Sequence, residues 1–320
     1  MGLANLVPGI SGGTMLLAAG VYPRFINAIS EVTRLRLKLG PVVILGTVVA
    51  AALLAIVLGA GALKDFVVNQ RWAAYSLFIG LTLGGVPALW GLVRASKDAR
   101  PMTAVWIAAI VGFAAMAALA VAQQSGLGAA GGGGSNVIML GLAGVAGASA
   151  MILPGVSGGY LLLVLGQYVP ILSAIDSAKD AVRAGDYAAA LSPARTVFVP
   201  VGIGVVVGVA VVSNVLRIML ARFEKPTLGL LLGLLLGAVV GLWPFQQGVL
   251  PEIGSTVKGE VVTAESQATI DAEDWPIAYF TPTGSQVGGA IGLIVLGLGV
   301  TLGVSWLGRE KPGRETTRRD

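Results

Sequence analysis

Charge is absent from long stretches of this chain, and the lengths of those stretches set the first expectation. Uncharged, mostly apolar runs cover residues 39–63, 72–93, 101–175, 196–216, 226–251 and 275–308. A helix needs about 20 apolar residues to cross a bilayer. Five of the runs each hold one such span, near 41–62, 72–93, 195–216, 227–248 and 286–307. The run 101–175 is too long for one span. It divides into a span at 102–122, a linker Gln123–Asn136 containing Gly131 to Gly134, and a second apolar region at 137–175. Pro154 and Gly155 interrupt that region, as Pro8 and Gly9 interrupt residues 1–29. The first thirty residues lack the basic leader of a signal peptide.

Basic residues between the runs orient the chain. They crowd at Arg34, Arg36 and Lys38, at Arg94, Lys97 and Arg100, at Arg217, Arg222 and Lys225, and in the tail after Arg309. The linker 123–136 has none, and the loop 249–285 has Lys258 against Glu252, Glu260, Glu265, Asp271, Glu273 and Asp274. Lys and Arg in short loops mark the cytoplasmic side. With those loops inside, both flanks of 137–175 fall outside, so this region makes no net crossing. It is a re-entrant pair of half-helices or two close spans, and the short apolar pieces after each break favour re-entry.

A search for internal similarity sharpens this. Residues 8–13 read PGISGG and residues 154–159 read PGVSGG, an offset of 146 residues, at which Gly20 also falls on Gly166 and Tyr22 on Tyr168. Each motif precedes a polar loop and three spans. The expected fold is therefore an all-α polytopic membrane protein made of two inverted-topology repeats. Each repeat has a broken re-entrant helix pair and about three transmembrane helices. The units are 1–122 and 137–307, joined by the Gly-rich linker 123–136, with an outside loop at 249–285 and a cytoplasmic tail at 308–320.

Composition agrees and excludes rivals. Hydrophobic residues make up 55% and charged residues 12%, against roughly 25% charged in soluble domains. Glycine, 47 of 320 residues, follows no collagen period and suits close packing of membrane helices. With no Cys and no His, thiol chemistry, disulfides and Cys/His zinc sites are out. The net charge of +5 lies mainly in short loops, which argues against nucleic acid as a partner. No cofactor is called for.

The two breaks carry the candidate chemistry. Proline and glycine end a helix, and the helix that resumes offers unpaired N–H groups suited to phosphate or carboxylate. Ser11, Thr14, Ser157 and Tyr160 add hydroxyls, and Gly12, Gly13, Gly158 and Gly159 leave the backbone open to close approach. Helix capping alone is the plainer account of the serines. These are not nucleotide loops, because no lysine follows Gly13. Arg24, Arg195 and Arg71 stand at helix ends as cationic partners, with snorkelling as the default reading. Asn5, Asn136, Asn214 and Gln286 line a cavity or bond between helices. No Asp or Glu lies well inside a span, so no carboxylate proton relay is visible.

The segments NLVPGISGGTMLLAAGVY and ILPGVSGGYLLLVLGQY resemble the DUF368 family of polyprenyl-phosphate transporters, through Asn5 and Pro8-Gly9-x-Ser11-Gly12-Gly13-Thr14 above all. The resemblance implies a multi-pass protein of the cell inner (cytoplasmic) membrane. It implies a flippase that returns undecaprenyl phosphate from the outer to the cytoplasmic leaflet by alternating access, with no bond made or broken. The substrate-binding set read from the two breaks, the flanking arginines and this signature is Asn5, Ser11, Gly12, Gly13, Thr14, Arg24, Ser157, Gly158, Gly159, Tyr160 and Arg195. Partners are the polyprenyl-phosphate lipid, membrane lipids and a coupling ion, H+ or Na+. A transporter of a small soluble anion is the rival. A lipid-phosphate enzyme is weaker, since no carboxylate cluster sits beside the motifs to hold a metal.

Overall fold

In lipid, backbone N–H and C=O groups must bond within their own segment, so uncharged apolar runs become helices. The computed structural model follows that rule. It describes residues 12–18, 20–34, 36, 38–124, 136–156, 158, 161–162, 165–257, 260–270 and 275–307. The helices, in chain order, begin with α1 (Gly12–Ala18), α2 (Tyr22–Thr33), α3 (Leu39–Asn69), α4 (Arg71–Leu83), α5 (Gly85–Ala95), α6 (Met102–Gln124) and α7 (Val137–Ile152). They continue with α8 (Tyr168–Arg183), α9 (Tyr187–Pro193), α10 (Val199–Arg222), α11 (Glu224–Val240), α12 (Ala264–Gln267) and α13 (Gly284–Leu307). Among the described residues, four stretches are long and apolar enough to cross a membrane: Arg71–Ala95, Met102–Val121, Tyr187–Arg222 and Gly284–Trp306. Exposed Leu54 and Leu58 on α3, Ile107 and Ile110 on α6, Ile203 and Val206 on α10, and Ile291 and Val295 on α13 form an apolar exterior suited to lipid.

Several expected boundaries shift. The span expected at 227–248 is helical only to Val240, because Pro244 lies just beyond and cannot continue a helix. The span at 72–93 is two helices with Gly84 between them; Pro87 lacks the N–H that would bond to the Leu83 carbonyl, which kinks the path. The span at 195–216 starts earlier, at α9, and passes a π-helical turn Ala194–Phe198 just after Pro193. The loop 249–285 is not wholly irregular. Two short antiparallel ladders pair β1 (Gln246–Gly248) with β4 (Ile277–Tyr279) and β2 (Thr256–Val257) with β3 (Glu260–Val261).

Three close helix pairs form the frame, and all three are parallel. Trp72, Leu77 and Gly84 of α4 meet Gly289, Gly297 and Thr301 of α13 in order. Val105, Ala109 and Met116 of α6 meet Gly229, Gly233 and Gly237 of α11. Gly141 and Val145 of α7 meet Gly204 and Gly208 of α10. Without water to drive them together, membrane helices associate through such close backbone packing.

The basic loops gather at one end. Ser96 Oγ donates to Glu224 at 2.5 Å, Arg100 Nη1 to the Arg222 carbonyl at 2.9 Å, and Lys225 Nζ to the Arg100 carbonyl at 3.0 Å. Nearby, Arg34 Nε donates to Asn214 Oδ1 at 2.7 Å, and the Asn214 amide donates to Thr33 Oγ1 at 3.0 Å. Asn214 is thus an interhelical bond rather than a cavity lining. Segment 137–183 begins and finishes at the opposite end: α7 runs beside the early part of α10, and α8 packs on α9 and the π-helical turn.

Asp98 ties the basic loops together. The Arg100 backbone N–H, at 3.0 Å, is the main influence holding its carboxyl below the usual carboxylate range, joined by the Lys225 N–H at 3.2 Å and the Arg100 guanidinium at 3.0 Å. A depressed folded value favours the ionised fold, so this stabilisation is present above the ordinary Asp value of about 4 and is lost as pH falls through the lowered one. Asp98→Asn therefore lowers the melting midpoint in detergent at pH 7, and the two proteins converge as pH falls below the ordinary Asp value and through the lowered one. At the α6–α11 contact, a Cβ at Gly233 would collide with the Ala109 carbonyl. Gly233→Val is expected to cost about 1–3 kcal/mol or more in unfolding titrations. Gly91→Ala, where a Cβ meets nothing within 4 Å, leaves stability unchanged or raised.

Candidate functional site

The short helix α1 is buried at Gly12 and Gly13 and packs against α2, α5, α7 and α13. Its Leu16 and Leu17 share one core with Tyr22, Phe25, Ile152, Val156, Leu231 and Leu235. The second break is buried as well. Pro154, Gly155 and Val156 are all inside. Gly155 holds φ +84°, and a Cβ there would sit 2.6 Å from the Leu234 carbonyl oxygen. Only glycine takes that φ without strain and lets the break lie flat on α11.

The matched glycines do the same work in both units. Gly20 has φ +71° and Gly166 has φ +66°. The Val21 N–H bonds to the Leu16 carbonyl at 3.0 Å, and the Gln167 N–H bonds to the Leu162 carbonyl at 2.9 Å. Each half-helix thus ends in the same six-to-one closure with a left-handed glycine, which satisfies a carbonyl the helix end would otherwise leave free.

One bond ties α2 to the second break. The Tyr22 hydroxyl, on a side chain 2% exposed, donates to the Ile152 carbonyl at 3.0 Å. Ile152 is the last residue of α7, so a tyrosine of α2 holds the end of the helix that precedes Pro154 and Gly155. The offset singled out Tyr22 as a matched position, but nothing in the sequence pairs it with Ile152.

The expected site residues divide into three groups. Asn5, Ser11, Ser157, Gly159 and Tyr160 lie outside the described residues, with Pro8 and Gly9 and most of the linker and tail. Gly12, Gly13 and Thr14 are placed on α1, and half-buried Gly158 lies against α7, where a Cβ would be 3.4 Å from the Gly147 carbonyl oxygen. Arg24 on α2 and Arg195 in the π-helical turn are exposed. Of the remaining amides, Asn136 caps α7 through a bond from the Met139 N–H at 2.8 Å, and Gln286 accepts from the Thr283 N–H at 2.9 Å. Both are local caps. Among the described residues, no cluster of acidic groups could hold a metal ion.

The chain matches a family described as undecaprenyl phosphate translocase-like over residues 1–258. It is 26% identical over 268 residues to a polyprenyl-phosphate transporter of Vibrio cholerae serotype O1, covering 80% of this chain and 79% of that protein. It is 28% identical over 252 residues to a polyprenyl-phosphate transporter of Staphylococcus aureus, covering 76% of this chain and 83% of the relative. These are names of transporters, not of enzymes. No solved structure matches the chain.

Removing the link between α2 and the second break should be felt. Tyr22→Phe leaves the buried Ile152 carbonyl without that donor, an expected loss of about 1–3 kcal/mol. Thermal unfolding in detergent, with Tyr187→Phe on the exposed α9 as the neutral control, measures it.

Proposed function

This chain belongs to the undecaprenyl phosphate translocase-like family, and on that premise we propose that it carries polyprenyl phosphate from the outer to the cytoplasmic leaflet of the inner membrane by alternating access. The observation that supports the reading is the packing of α1 and α2 against the second break. The half-helix with Gly12 and Gly13 packs on α7, and Tyr22 bonds to the carbonyl at the end of that helix.

The inverted-repeat arrangement rests on the helix pairing. Taking 1–122 and 137–307 as units, α4 of the first pairs with α13 of the second, and α6 of the first with α11 of the second. Both pairs are parallel. A twofold axis in the membrane plane relates such pairs by exchange, because it turns each helix of one unit antiparallel to its counterpart. The gathering of basic loops at one end fits a cytoplasmic face there.

In this reading the phosphate sits at the breaks, against the N–H groups near Gly12, Gly13, Gly158 and Gly159 and the hydroxyls of Ser11, Thr14, Ser157 and Tyr160, with Asn5 beside them. The isoprenoid tail stays in lipid between helices. Arg24 and Arg195, exposed near opposite ends, serve as approach charges, and coupling to H+ or Na+ supplies direction.

Leaflet-resolved transport of polyprenyl phosphate in proteoliposomes tests the reading. Ser11→Ala and Ser157→Ala are expected to slow transport about tenfold or more, the size of a lost hydrogen bond to a charged group, and Arg24→Ala to slow it less. Unchanged rates in all three would remove the site. Uptake of a soluble anion with no lipid transport by the unaltered protein would replace the substrate.

A further inference from the structure

α4 carries a second set of polar groups that none of the motif residues account for. Arg71, Tyr75, Phe78 and Thr82 follow one another at helical spacing, within an arc of roughly 60° at ~100° per residue. All four are buried. They occupy the face opposite Leu77, Gly80 and Gly84, which pack on α13. Tyr75 and Phe78 belong to an inner cluster with Leu242, around which stand Met15 of α1, Phe66 and Val239.

The two ends of this stripe are unsatisfied. Arg71 is 9% exposed, and its Nε has no hydrogen-bond partner. Among the described residues its side chain has no ion pair, and Asp65, the nearest acid along the chain, is exposed. Thr82 is 1% exposed, and its Oγ1 has no partner either. A guanidinium stays charged, and a buried charge without a counter-ion is unfavourable unless a ligand supplies one. The eleven helical steps from Arg71 to Thr82 cover ~16 Å, about half of a ~30 Å hydrocarbon core. Arg71 lies at the end where α4 packs on β1, away from the basic loops. Thr82 lies at the Gly84 kink, beyond which α5 packs on α1.

We propose that this face of α4 is the outer half of the headgroup path: Arg71 receives the phosphate monoester of the lipid by its planar fork, and Thr82 hands it to the breaks at mid-depth. The proposal rests on the lipid-transport reading and adds to it a residue that selects the phosphate over the uncharged alcohol. An arginine fork matches a phosphate bidentately, whereas a polyprenol offers it a single hydroxyl.

The test uses the purified full chain in detergent with farnesyl phosphate, farnesol and inorganic phosphate as probes, and leaflet-resolved transport beside it. Arg71→Gln is expected to weaken farnesyl phosphate binding about tenfold or more while leaving farnesol unchanged. Without ligand it should melt no lower than the unaltered protein, since it removes an unpaired buried charge. Arg71→Lys should keep part of the affinity. Thr82→Val should slow transport several-fold with affinity little changed. Variants that match the unaltered protein in binding and transport would overturn the proposal while the transport reading stands. So would an Arg71→Gln that melts lower and loses all ligands alike, a structural arginine. If the unaltered protein binds inorganic phosphate as tightly as farnesyl phosphate and carries no lipid, the lipid reading fails instead. Binding of no phosphate at all overturns both.

Discussion

A helix that breaks inside a membrane must find partners for the backbone groups it frees, and the centre of this protein is organised around that need. Lipid offers no hydrogen bonds, so irregular backbone survives only where protein or a wet cavity completes it. Both half-helices close with the same left-handed glycine and the same long-range N–H bond, to the carbonyls of Leu16 and Leu162. The end of α7 is completed by the Tyr22 hydroxyl of α2. The second break therefore depends on α2 for a hydrogen bond and on α11 for packing, and moving either helix would alter it.

Glycine makes such packing possible. The parallel contacts between α4 and α13, α6 and α11, and α7 and α10 bring backbone against backbone, with no room for a side chain at Gly80, Gly233 or Gly204. Dispersion between close backbones takes the place of the hydrophobic effect here. Two of the pairs join helices far apart in the chain, α4 with α13 and α6 with α11, so the packing that holds the fold also ties its early and late parts together.

Much of this was legible in the chain. Uncharged length located the spans, and basic loops located one common end, because both follow from solvation alone. The offset of 146 residues pairs Gly20 with Gly166, and the fold gives both the same left-handed conformation. Length without charge overread α11, since an apolar run does not register Pro244 as strongly as a helix does. The ladders in the outer loop were hidden because their strands are only two or three residues long. The candidate site was legible as two motifs but not as one place. Only the fold shows that Tyr22 reaches Ile152, and that Arg24 and Arg195 are at the surface.

That last contrast bears on which cation could select a phosphate. An exposed arginine keeps its water, and its attraction for an anion is weakened by the high dielectric and by salt. Arg24 and Arg195 are in that position. Arg71 has already lost most of its water in the folded state, so an arriving phosphate meets a donor with less water left to shed. Sequence position gave all three the same default, a side chain snorkelling from a helix end. Burial separates them, and it does so because α4 leaves α3 after the single residue Gln70 and continues beside β1. The tight turn brings the arginine in under the outer loop instead of letting it reach the headgroups.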